Sequence, residues 1–373
     1  MKLEEQLNQK LRARHEQNSL RSLVTSDQLI DFSSNDYLGL AQSEELYKLI
    51  KNKSDIIKKN GATGSRLLAG NYDYIEYVES RLSEIFQSEK SLIFNSGYNA
   101  NLAVLSSIPQ KGDTILYDEM SHACIKDGAR LSLANRYSFK HNDLDDLRKK
   151  ITKASGQIFI VVESIYSMDG DQCPLPELIE VAREYQAEII LDEAHSTGVM
   201  GPLGSGLSGS LQAQGNIFAR IYTFGKGMGI HGAAVAGSAT LIKYLINFAR
   251  PFIYTTAPAP HQVASIAGAF EFLSNNIHLQ TTLTANVQYF KKCIAQLNGK
   301  FSLTPSNHAV QGIIIPGNDT ARQAAISLQN EGLDVRAILA PTVKKGTERL
   351  RVCLHSFNTH DEIYHLIDSL AAL

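Results

Sequence analysis

From about residue 73 onward, two hydrophobic patterns alternate along the chain: short unbroken apolar runs, and longer stretches with apolar residues every three or four positions. Runs such as IFIVVE and AEIILDE have the length and β-branched content of strands buried on both faces of a parallel sheet. They predict strands at 91–95, 114–118, 157–163, 188–192, 220–224 and 233–237. Helical spacing lies between them at 74–86, 98–106, 144–151 and 175–185. Strand alternating with helix predicts an α/β unit built on a mostly parallel, doubly wound sheet with right-handed crossovers.

The two ends of the chain read differently. Leu3, Leu7, Leu11 and Leu20 stand among charges, which predicts an amphipathic helix within 2–20, and Leu29–Phe32 looks like a short strand. After about residue 255 two long helical stretches appear, near 260–274 and 277–297. Shorter strand candidates follow at 312–315, 334–337 and 349–354, and a last helix starts at Asp361. The expected division is an N-terminal helix and arm (1–40), a large α/β domain (41–255) and a smaller α+β C-terminal domain (256–373).

Composition narrows the function classes. A chain of 373 residues is long enough for two cores, and 43% apolar with 20% charged residues is ordinary for a globular protein. The net charge of -2 offers no basic field for nucleic acid. Cys124, Cys173, Cys293 and Cys353 form no C-x-x-C pair, so neither a zinc site nor a disulfide framework is expected. No run approaches the ~20 apolar residues of a membrane span, and the charged opening residues do not read as a signal peptide. A reduced, cytoplasmic setting is expected.

Five segments could carry chemistry, each at a predicted strand end, where ligands of doubly wound sheets sit. Strand 188–192 ends in Asp192, with His195 three residues on; the acid could face a cofactor or cap the next turn. A helicase-type DEAH reading would need a phosphate-binding G-x-x-x-x-G-K-[ST] loop, and none is present. The segment TFGKGMG puts Lys226 among glycines, which let the backbone turn and leave room for a ligand. Lysine is the amine that forms Schiff bases with pyridoxal phosphate (PLP), although a solvated loop lysine fits the same letters. NSGYNAN ends a strand and starts a helix near Gly97 and Tyr98, as a phosphate site or a plain N-cap would. ESIYSMDGD could reach a ligand or build a turn around Gly170. His122 follows the strand ending in Asp118, placed to stack on a planar cofactor or to pack ordinarily. The convergence of five strand ends favours a cofactor site.

These segments resemble the α-oxoamine synthase family of fold-type I PLP enzymes. The matching stretches include FSSNDYLGL (32–40), GATGSRLLAGN (61–71), NSGYNANLAV (95–104), SHACIKDGARLS (121–132), ESIYSMDGD (163–171), LDEAHSTGVMG (191–201), TFGKGMGIHGAAV (223–235), FIYTTAPAP (252–260) and PTVKKGTERLRV (341–352), in the family's order. Two segments depart from the commoner pattern: GATGSR stands where GSGGSR is usual, and TTAPAP is poor in serine.

The resemblance implies that Lys226 carries PLP as a Schiff base and that Asp192 pairs with the pyridine nitrogen. It implies that His195 and Ser167 contact the phenolic oxygen, that His122 stacks on the ring, and that Gly97, Tyr98 and Thr223 hold the phosphate. Thr255 or Thr256 would reach the phosphate of the neighbouring subunit of a homodimer. Asn35 and Arg351 would face the substrate carboxylate, and Arg21 and Thr342 would line the acyl path. The implied reaction is a decarboxylative Claisen condensation of an amino acid with an acyl thioester. For the member matching best, these are L-alanine and a pimeloyl group on coenzyme A or a carrier protein. Sister enzymes that condense glycine or serine, an aminotransferase on the same fold, and a non-catalytic partner subunit are the rival readings.

Overall fold

The computed structural model describes residues 2–16, 20, 23, 28–297 and 299–373. The chain forms two compact units: residues 35–167 with 172–283, and residues 1–34 with 168–171 and 284–373. The change of unit thus falls near 283, whereas the hydrophobic pattern changes near 255. The helix Pro260–Asn275 belongs to the larger unit because it packs on the helix Glu44–Ile57. A Cβ on Gly268 would stand only 3.0 Å from Ile50 Cγ1.

The larger unit holds a seven-stranded sheet. Its spatial order is Lys90–Phe94, Ala233–Gly237, Ala219–Thr223, Glu188–Asp192, Ile158–Glu163, Thr114–Asp118 and Asn135–Phe139. Ala233–Gly237 runs antiparallel to both neighbours, and the other pairings are parallel. All six expected strands form. The seventh, Asn135–Phe139, is an edge strand exposed at four of its five residues, and its polar letters NRYSF carry no apolar signal.

Side chains alternate across a strand, so neighbours in one run feed opposite cores. Ile115, Phe159, Val161, Ile190 and Ile221 pack on one face, against Ala100 and Val104 of the helix Gly97–Ser107 and Ile125 of the helix Ala123–Leu131. Leu116, Ile160, Val162, Ile189 and Leu191 pack on the other, against Leu147 and Ile151 of the helix Leu144–Ile151 and Leu178 of the helix Leu175–Glu184. Each such side chain contributes about 1.5–3 kcal/mol relative to exposure. Covering both faces explains why the runs read as continuously apolar.

The smaller unit contains an antiparallel sheet in the order Arg336–Ile338, Arg349–Cys353, Val310–Ile314, Ser302–Leu303. Its last helix, His360–Ala372, starts with a capping box between Thr359 and Glu362, which satisfies two otherwise unpaired backbone donors. The N-terminal helix spans Lys2–Glu16 and buries none of its residues; Leu3, Leu7 and Leu11 are exposed. Among the described residues no helix is long and apolar enough to cross a membrane.

Candidate active site at the strand ends

Parity places the polar residues that end these strands. Glu163 follows Phe159 and Val161, Asp192 follows Ile190, and Thr223 follows Ile221, so all three share one face. They line a cavity of about 270 Å³, together with Gly97, Asn101, His122, His195 and Lys226. Asp192, His122, Lys226 and the helix start at Gly97, proposed one by one from sequence, are therefore brought together.

Asp192 is buried, and each of its oxygens is held. Oδ1 accepts from the Ala194 N–H at 2.9 Å and Oδ2 from Asn101 Nδ2 at 2.8 Å.

Lys226 is half-buried, with Nζ 2.9 Å from His195 Nε2. His195 Nδ1 lies 2.7 Å from the Tyr37 hydroxyl, which donates its proton to Asn35 Oδ1 at 2.9 Å. The tautomer follows from this chain: Nδ1 donates to Tyr37, leaving the Nε2 lone pair facing the lysine amine. The glycines around Lys226 serve packing as well as space. A Cβ on Gly227 would come 2.7 Å from the Thr197 carbonyl oxygen. Gly229, at φ 62°, would bring one within 2.3 Å of the Ala41 nitrogen.

The helix Gly97–Ser107 begins at the cavity, with Ser96 as N-cap accepting from the Asn99 N–H. Its first N–H groups have no acceptor within the helix and favour an anion. Gly97 is packed so closely on Thr223 that a Cβ would sit 2.1 Å from Thr223 Oγ1. Tyr98 also lines the cavity, and its hydroxyl donates to Asp127 Oδ2 at 2.6 Å.

His122 caps the helix Ala123–Leu131, its Nδ1 accepting from the Cys124 N–H at 3.3 Å. Burial of its base, and then the charge of Lys226, holds the imidazole below the usual histidine range, so it is neutral at pH 7. Its backbone N–H donates to Glu163 Oε1 at 2.5 Å.

The residues suit PLP. An amine, a fixed carboxylate and a helix start with no room for a side chain line one cavity. Asn101 Oδ1 is buried there without a protein partner, a polar atom left for a ligand.

Other residues singled out from sequence fall elsewhere. Ser167 is half-buried beyond the Ile158–Glu163 strand and does not line the cavity. Thr255 and Thr256 follow the helix Arg250–Ile253, where Asn95 Nδ2 reaches Thr255 Oγ1 at 3.3 Å and the Thr256 carbonyl at 2.9 Å. Arg21 lies outside the described residues. Arg351 is buried in the smaller unit with Nη1 3.0 Å from Cys353 Sγ. Thr342 lines a cavity of about 340 Å³ in that unit, with Arg14 and Arg322. In the MDGD segment Gly170 takes φ 71°, and a Cβ there would collide with the Val310 carbonyl. Asp169 pairs with Arg349. Those residues therefore build a turn.

Sequence reasoning missed Tyr37 and Asn101, and it named the ESIYSMDGD segment for its hydroxyls and acids without singling out Glu163. Tyr37 and Asn101 stand in motifs quoted above, 158 and 91 residues from the partners they meet. Parity within IFIVVE puts Glu163 on the face of Asp192.

Comparison with known proteins agrees with this geometry. The sequence model of the aminotransferase class I and II family matches residues 27–370. The 8-amino-7-oxononanoate synthase of Emericella nidulans is 38% identical, over 99% of this chain and 95% of the relative. That of Lysinibacillus sphaericus is 36% identical over 99% and 95%. Among solved structures, 8-amino-7-oxononanoate synthase from Francisella tularensis superposes with a TM-score of 0.80 at 28% identity, covering 93% of this chain and 98% of the other. Sphingomonas wittichii serine palmitoyltransferase gives 0.89 at 25% identity, covering 97% and 94%. A family model spanning nearly the whole chain, and relatives matching it end to end, leave one conclusion: the chain belongs to the class I and II aminotransferase family of fold-type I, PLP-dependent enzymes.

Proposed function

We propose that the strand-end cavity is where this chain works as a PLP-dependent C-acyltransferase of biotin biosynthesis. It condenses L-alanine with a pimeloyl thioester to give 8-amino-7-oxononanoate, CO2 and a free thiol. One observation carries the reading of the site: the Lys226 amine and the Asp192 carboxylate line the same cavity, with the amine 2.9 Å from His195 Nε2.

In this reading Lys226 would hold the aldehyde carbon of PLP, Asp192 its ring nitrogen and His122 its face. The N–H groups at the start of the helix Gly97–Ser107, with Thr223, would hold its phosphate, and His195 its phenolic oxygen. Bound there, PLP supplies an electron sink for charge developing at the amino acid's α-carbon. Asp192, fixed by Asn101 and Ala194, keeps a proton on the ring nitrogen. Lys226 removes the α-proton, which requires a neutral amine. His195 Nε2 accepts a hydrogen bond from that amine, and Tyr37 keeps the accepting nitrogen turned toward it. Neutral His122 puts no cation beside the Lys226 amine. Arg351 is the proposed grip on the substrate carboxylate, because a guanidinium fork matches two carboxylate oxygens. The same reading has a cytoplasmic homodimer, with Thr255 or Thr256 reaching the phosphate bound by the partner subunit.

Lys226→Ala is expected to abolish both the lysine-bound PLP absorbance and turnover; retained turnover would refute the role of Lys226. The high superposition on serine palmitoyltransferase supports a second reading, with serine and a long acyl chain as substrates. Crossing alanine, glycine and serine with short, dicarboxylic and long acyl thioesters, and weighing the products, separates the two. The proposed activity predicts product only from alanine with the pimeloyl thioester.

A further inference from the structure

Two acids end neighbouring parallel strands in direct register: Glu163 on Ile158–Glu163 and Asp192 on Glu188–Asp192. Both are buried, with 3% and 4% exposure, and both line the same cavity. Two carboxylates so placed do not both ionise readily, because burial and mutual repulsion act together. Their surroundings differ. Asp192 has a donor on each oxygen, the Ala194 N–H and the Asn101 amide. Glu163 takes the His122 N–H on Oε1. The other charged groups around it are Asp118 on the adjoining strand, which repels its charge, and Lys226, which attracts it. Burial first, then the charge of Asp192, pushes the Glu163 carboxyl up to about 8. The buried Cys124 thiol, also driven up by burial and the two acids, adds no anion.

We propose that Glu163 is a positioning residue that works as a neutral acid, fixing His122 through its backbone N–H beside the Asp192 carboxylate. The inference rests on reading the cavity as the PLP site. His122 begins the helix Ala123–Leu131, so the Glu163–His122 bond holds a residue whose loop arrives from the adjoining strand. A neutral acid can accept from that N–H on one oxygen while keeping a proton on the other. A glutamine copies this pattern without the ability to ionise.

The test compares wild-type holoenzyme with E163Q and E163A, folding being checked by circular dichroism. E163Q is expected to retain PLP within about twofold of wild type, and E163A to bind it about tenfold more weakly, the loss expected for one buried hydrogen bond. The infrared spectrum of wild-type holoenzyme at pH 7 is expected to show the carbonyl band of a protonated acid that E163Q lacks. If E163A does not fold, E163Q and the infrared band decide. The proposal is overturned by E163Q losing PLP as E163A does, by E163A matching wild type, or by absence of the band. Failure of the cofactor reading would look different: wild-type protein with no PLP on Lys226, whatever residue stands at 163.

Discussion

Two strands of the large sheet end in nearly the same letters, TILYDE and EIILDE, and a histidine follows each. Asp118 and Asp192 are both buried, yet they end in opposite chemistry. Asp118 lies on the face of Leu116 and Ile160, and the protein uses it fully. It accepts from the Met120 N–H at 2.8 Å and the Asn142 N–H at 2.9 Å, and meets His141 Nδ1 at 2.9 Å. His141 packs edge-on against Tyr166, 4.5 Å between ring centres. Asp192 lies on the other face, with one protein donor per oxygen and a cavity beside it. A strand-end aspartate is therefore not by itself a site. Parity along the strand decides which face it joins, and the number of donors on that face decides whether anything is left for a ligand.

Substitution at the two acids is the strongest way to break this comparison. Asp192→Asn should leave PLP weakly held and slow exchange of the α-proton by roughly 10³-fold, because a charge placed for the reaction is removed; normal exchange would refute its placement. Asp118→Asn should instead cost about 2 kcal/mol of stability, read by denaturant unfolding, with turnover per folded molecule near wild type. Tyr37→Phe removes the acceptor that sets the His195 tautomer. Turnover should fall about tenfold with an unchanged melting temperature, and unchanged turnover would remove Tyr37 from any role in holding His195 toward Lys226.

The remaining prediction concerns pH dependence. The Glu163 carboxyl is raised from 4.5 to about 8 in the folded protein, so the native state keeps a proton that the unfolded chain releases. Stability should therefore decline as pH rises between those values and level off above them, by roughly 1 kcal/mol per pH unit for this group alone. Glu163→Gln should flatten that slope in unfolding measured from pH 5 to 9. An equally steep slope in the variant would assign it to other groups.

Much of this was legible in the letters. Strands such as Thr114–Asp118, Glu188–Asp192 and Ala233–Gly237 carry unbroken apolar runs because helices cover both sides, and their predicted limits match. Asn135–Phe139 was not legible: an exposed edge strand is held by backbone pairing to Thr114–Asp118, which leaves no hydrophobic signal. The leucines of the N-terminal helix gave a periodic signal without a buried face. At the candidate site, strand-end position pointed to Asp192 and the glycine-flanked segment to Lys226, and both line the cavity. Asn101 and Tyr37 act through contacts between distant residues, which spacing does not encode. Glu163 shares the face of Asp192 through the register of two neighbouring strands, which spacing does not encode either.

The most direct measurement is to reduce the purified protein with borohydride and map the labelled peptide by mass spectrometry. The account predicts a single pyridoxyl group, on Lys226. A label on another lysine, or none, would contradict it.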